Sequence, residues 1–89
     1  MGEHIEQGSI VAVVDTGETY TQFTELFNHA VSKSGVKGIT HAYNKVPEKH
    51  EAFIVLAVVR HFDSNAPIAL IQNDNQKAYL IGTAGLKLN

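Results

Sequence analysis

Four stretches of this chain are apolar on both sides at strand spacing, and that constrains the fold more than any other feature. From Ala52 to Phe62, one face carries Phe53, Val55, Ala57 and Val59, and the other carries Ile54, Leu56, Val58 and Phe62. Ile68 and Leu70 oppose Ala69 and Ile71, and Ala78 and Leu80 oppose Tyr79 and Ile81. Ser9 to Val14 is a further short run rich in β-branched residues, closed by Asp15-Thr16-Gly17, and reads as a buried strand. An antiparallel strand with one wet face alternates apolar and polar side chains, and these do not. Each face of the sheet they form needs a cover.

One cover is visible. Tyr20, Phe23, Leu26, Phe27, Ala30 and Val31 recur at helical spacing and form a single stripe. Thr19 and Gln22 suit a capping box, Lys33 suits the last turn, and Gly35 suits the left-handed position that ends a helix. The pattern predicts a helix over 19–34. Between Gly35 and Glu51 the spacing is mixed. Gly35, Gly38 and Pro47 interrupt any helix there, Pro47 at about 3 kcal/mol in an interior. The preferred reading is a short strand from Ile39 to Asn44 followed by a loop. Polar turns at Asp63 to Pro67 and Asn73 to Gln76 separate the later strands, which then pair as antiparallel neighbours. Gly82-Thr83-Ala84-Gly85 leads into a tail, Leu86 to Asn89.

The expected fold is α+β, a mainly antiparallel sheet of four or five strands with one amphipathic helix on one face, in the order β-α-(β)-β-β-β. The chain has 89 residues, with no internal repeat or linker, so residues 1–89 are read as one small domain. One helix covers one face. The second face is left to a second helix built from Val36 to Val46, to closure of the sheet into a small barrel, or to another copy of the chain. Two-fold dimers are the commonest oligomers, and the dimer is the favoured cover.

Composition narrows the function. There is no cysteine, which excludes disulfide scaffolds, thiol nucleophiles and thiolate metal sites. No basic-then-apolar leader and no membrane-length apolar run occurs, so a cytoplasmic protein is expected. The net charge of −2 argues against a dedicated nucleic-acid binder. Glu3, Glu6, Asp15, Glu18 and Glu25 are the only charged side chains before Leu26. Between Lys33 and Arg60 the balance reverses. Lys33, Lys37, His41, Tyr43, Lys45, Lys49 and Arg60 are the one possible nucleic-acid footprint, and a single arginine makes it thin.

Val13-Val14-Asp15-Thr16-Gly17 resembles the active-site turn of aspartic proteases, with Thr21 where that family carries Ser or Thr and Leu80-Ile81-Gly82 similar to its bracing strand. The resemblance implies a dimer in which two Asp15 carboxyls share a proton and activate water. Glu18 stands where a small residue is expected, a helix follows the turn directly, and no glycine-rich flap precedes Phe53. The preferred reading is a strand-to-helix turn in which Asp15 or Thr16 bonds nearby N–H groups. The same turn lacks the glycine pattern of a phosphate cradle, and Asp15 and Glu18 would repel a phosphate.

Five histidines, His4, His29, His41, His50 and His61, show no tight ligand spacing. His61 and Asp63 are the best pair for a metal, joined by His41 or His50. No serine sits in a nucleophile elbow, and no cofactor is implied. Thr16, Gly17, Lys45, Arg60 and His61 remain as ligand-binding candidates. The expected function is a small non-catalytic binding or assembly module acting as a homodimer through the second sheet face. The alternative is a small dimeric hydrolase using Asp15, or a metal-dependent one using His61 and Asp63.

Overall fold

The computed structural model describes residues 5–14, 24–39, 51–62 and 65–88. Among these residues, five strands and one helix follow in the order β1 (Ile10–Val13), α1 (Thr24–Ser34), β2 (Ala52–Arg60), β3 (Pro67–Gln72), β4 (Ala78–Gly82) and β5 (Leu86–Leu88), with a 3-10 turn at Thr83–Gly85 before β5. All pairings are antiparallel, and the strand order is β4-β3-β2-β1-β5. This is the expected α+β class with one helix on the sheet. Apart from Ile39, the expected strand at 39–44 lies outside the described residues, as do the helical residues before Thr24. A fifth strand comes from the tail. Leu86, Lys87 and Leu88 pair with Val13, Ala12 and Val11.

Helix α1 forms where its apolar stripe is continuous. Leu26, Phe27 and Ala30 are buried against Leu56, Val59, Ile68, Leu70, Ala78 and Leu80. Glu25 in the first turn and Lys33 in the last complement the helix dipole. The C-terminus stops at Gly35, whose φ of +72° is costly for a residue with a Cβ. Ser34 ties the exit, its hydroxyl donating to the Val31 carbonyl at 2.6 Å and accepting from the Val36 N–H at 3.1 Å.

The opposite face is equally dry. Val11, Val13, Phe53, Val55, Ala69, Ile71, Tyr79, Ile81 and Leu86 form a second buried cluster within a single chain. All five strands contribute to it, and Ile5 packs against it. Five strands laid flat would separate the edge strands β4 and β5 by about 19 Å, at about 4.8 Å per neighbour. Yet Gly82 and Leu86 are joined by three residues of 3-10 turn, which reach about 8 Å at about 2 Å per step. The sheet must therefore curl until its two edges approach. The 3-10 turn is fastened on both sides: Thr83 Oγ1 donates to the Pro67 carbonyl at 3.4 Å, and the Val14 N–H donates to the Gly85 carbonyl at 2.9 Å. Inside, Phe53 and Tyr79 meet edge to face, 5.5 Å between centroids at 87°.

Strand β2 makes that curl possible. Val55 pairs with Ile71 and Ala57 with Leu70, so Leu56 is an extra residue without a counterpart on β3. Such a bulge bends the strand and reverses which face each later residue occupies. Phe53 and Val55 point inward. After the bulge it is Val58 that packs on the inner cluster, while Leu56 and Val59 join the helix side. The simple alternation expected for Ala52 to Phe62 is thereby corrected. The second face is already buried within one chain.

The hairpin between β3 and β4 is organised by Asn73. Its Oδ1 accepts from the N–H groups of Asn75 and Lys77, each at 2.9 Å, and its Nδ2 donates to Glu51 Oε1 at 2.7 Å. Asn73 thus pins this turn to the start of β2. Among the described residues no helix is long and apolar enough to cross a membrane.

The curled interior carries a direct expectation. Phe53→Ala removes a ring with 1% exposure from the inner cluster and should cost about 3–5 kcal/mol in a urea titration. Ile10→Ala, on the outer face of the same ladder, should cost far less. Equal losses at the two positions would contradict an inner face closed within one chain.

Candidate functional site

Strand β2 outruns its partner β1. Ile10, Val11 and Ala12 pair with Ile54, Phe53 and Ala52, and the contact ends when the Gly8 N–H donates to the Val55 carbonyl at 2.8 Å and the Val55 N–H donates to the Ser9 carbonyl at 2.9 Å. Gly8, with φ +93°, then turns the chain away, and the turn is held by Ser9 N–H on the Glu6 carbonyl and by Glu6 N–H on Ser9 Oγ. Beyond Val55, β2 is paired with β3 alone among the described residues.

The side that β1 leaves open forms one wall of a groove of about 1050 Å³. Its floor is the β2 segment Ala57 to Arg60. Across from it stands the polar face of α1, presenting His29 and Lys33, one turn apart. Phe62 closes one end with 60% of its surface exposed, an unusual state for a phenyl ring. Glu6 and Gln7 contribute from the N-terminal turn, and Thr83 and Ala84 from the 3-10 turn. Among the described residues lining it, the groove combines an apolar floor, three groups able to carry positive charge, and one carboxylate.

The main chain along this wall follows from strand parity. In an antiparallel strand the N–H and C=O of one residue point to the same side, alternating along the strand. Lys33 Nζ donates to the Val58 carbonyl at 2.8 Å, from the helix, so that carbonyl points away from β3. The Val58 N–H and the main-chain groups of Arg60 share that direction. Lysine on an exposed strand edge is a common protection against unwanted pairing. Arg60 is steadied by its own loop, its Nη1 donating to the Asn65 carbonyl at 2.9 Å.

Of the residues singled out from sequence, Arg60 lines this groove. His61 stands at its end, where its ring lies 6.4 Å from that of Phe62 and its main chain closes the turn with Asn65 and Ala66. Asp15, Thr16, Gly17, Lys45 and Asp63 lie outside the described residues, as do His4, His41 and His50. Among the described residues no three His, Asp or Glu side chains come together as a metal site. Leu80-Ile81-Gly82 belongs to β4 and pairs with β3, three strands away from β1 in the ladder. The grouping of His29, Lys33 and Phe62 has no signature in the sequence. The i, i+4 spacing of His29 and Lys33 was legible, but their partner strand was not.

A second exposed feature lies on the outer face of the β1–β2 ladder. Ile10 pairs with Ile54 and Ala12 with Ala52, opposite in direction to buried Val11 and Phe53. Ile10, Ile54 and neighbouring Val14 are 47%, 41% and 52% exposed.

No protein-family model, curated protein or solved structure matches this chain.

Proposed function

We propose that this chain is a small non-catalytic binding and assembly module whose ligand surface is the groove between α1 and the second half of β2. The observation that carries the reading is the pairing of an apolar floor with an exposed Phe62 and the cationic rim of Lys33 and Arg60. Ligand sites combine apolar surface with a few convergent polar groups in this way. A molecule with an apolar body and an anionic end suits it. The hydrolase alternative rests on Asp15 or on His61 with Asp63, and nothing in the groove favours it. A cysteine-free chain suits a cytoplasmic setting but does not require one.

Self-association is a second reading, moved from the inner sheet face to the outer one. The exposed aliphatic stripe of Ile10, Val14 and Ile54 supports it, because apolar patches at neighbouring ladder positions mark contact surfaces.

An anilinonaphthalene sulfonate dye, apolar with one anionic group, is a fitting probe of the groove. Amide shifts on titration should concentrate at Lys33, Val58, Arg60 and Phe62. Phe62→Ala and Arg60→Gln should each weaken binding severalfold without lowering the unfolding midpoint much, since both side chains are exposed. Shifts confined to Ile10 and Ile54, or unchanged affinity in both variants, would refute the groove. Sedimentation of wild type and Ile10→Asp tests the stripe. Concentration-dependent dimer lost in the variant supports it, and a monomer throughout the micromolar range dismisses it.

A further inference from the structure

The groove has a polar wall as well as an apolar floor, and that wall is main chain. Resting on the proposed groove, we propose that its ligand is an extended acidic peptide segment that adds as a strand to β2 at Val58 and Arg60. Three observations lead there. The main-chain groups of Val58 and Arg60 point away from β3, and two positions two residues apart make one repeat of an antiparallel ladder. Adding a strand to an exposed sheet edge is an established mode of peptide recognition, in which main-chain bonds hold the peptide and alternate side chains select it.

The second observation is the occupant of the Val58 carbonyl. Lys33 Nζ now holds it, a lysine reaching from a helix to a strand twenty-five residues later. A peptide N–H arriving at that carbonyl displaces the ammonium, which then needs an anion. A carboxylate on the incoming strand supplies it, so the displaced bond is replaced by an ion pair. This exchange selects acidic segments over neutral or basic ones.

The third observation is the charge around the edge. Lys33 and Arg60 flank this main chain, with His29 one helical turn from Lys33, and Glu6 is the one carboxylate among the described residues lining the groove. Among these residues the balance is positive in a chain whose net charge is −2. Charge complementarity of this kind favours encounter with an acidic partner and disfavours a second copy of the same edge, which would bring lysine against lysine. Phe62, exposed at the end of the groove, offers an apolar surface to the alternate side chains of the strand.

The test uses the full chain, isotope-labelled, and a short acetylated and amidated peptide alternating Glu and Val. Binding should slow hydrogen exchange at the Val58 and Arg60 amides. N-methylation of the valines, which removes alternate donors, should weaken binding by at least about tenfold. A peptide alternating Lys and Val should bind at least about tenfold more weakly than the acidic one, and Lys33→Gln should narrow that difference. Equal affinity of the N-methylated peptide would overturn strand addition. Equal affinity of the basic peptide would overturn acidic selection. If the sulfonate dye binds at Phe62 but the acidic peptide does not, this inference fails while the groove stands. If neither binds, the groove reading itself fails.

Discussion

The three-residue connection between β4 and β5 is the constraint on which the rest depends. These strands occupy opposite edges of the sheet, and Thr83 to Gly85 cannot join them unless the sheet curls. The curl converts one apolar face into an interior, held by Phe53 against Tyr79 and by the valines of β1. It leaves the outer face to α1. Among the described residues, one helix and one curled sheet thereby gather two buried apolar clusters.

Curvature has a consequence at the edges. β2 runs beside β3 for nearly its whole length but beside β1 only over its first half, and the Leu56 bulge lies where the contact with β1 has ended. Since β1 turns away at Gly8, the second half of β2 is left with one side free among the described residues. The groove is thus a by-product of the same bend that closes the interior. Lys33 occupies the Val58 carbonyl on that side, which shields the edge from indiscriminate pairing while leaving it available to a ligand that can replace the lysine.

Much of the fold was legible in the residues. The runs at Ile10, Ala52, Ile68 and Ala78 are strands, the stripe through Leu26, Phe27 and Ala30 is the helix, and the apolar character of both sheet faces was apparent before any geometry. Of the three covers open to the second face, closure of the sheet was the hardest to read, because Leu86-Lys87-Leu88 reads as a tail. Three residues carry too little pattern to signal a strand, and without β5 nothing forces the sheet to curl. The bulge was hidden for a related reason: Ala52 to Val59 is apolar without a break, so alternation gives no phase to lose. Of the candidate site, Arg60 and His61 were reached from sequence. Their grouping with Lys33 and Phe62 depends on how the helix is laid across β2, which local pattern does not encode.

The account turns on whether β2 presents free main chain beside α1. Residue-resolved hydrogen exchange of the unliganded protein measures this directly. Ala57 and Val59 face β3 by parity and should exchange slowly, near the global unfolding limit, whereas Val58 and Arg60 should exchange far faster on the same strand. Protection at Val58 and Arg60 equal to that at Val59 would mean that the edge is already paired, and would contradict the account.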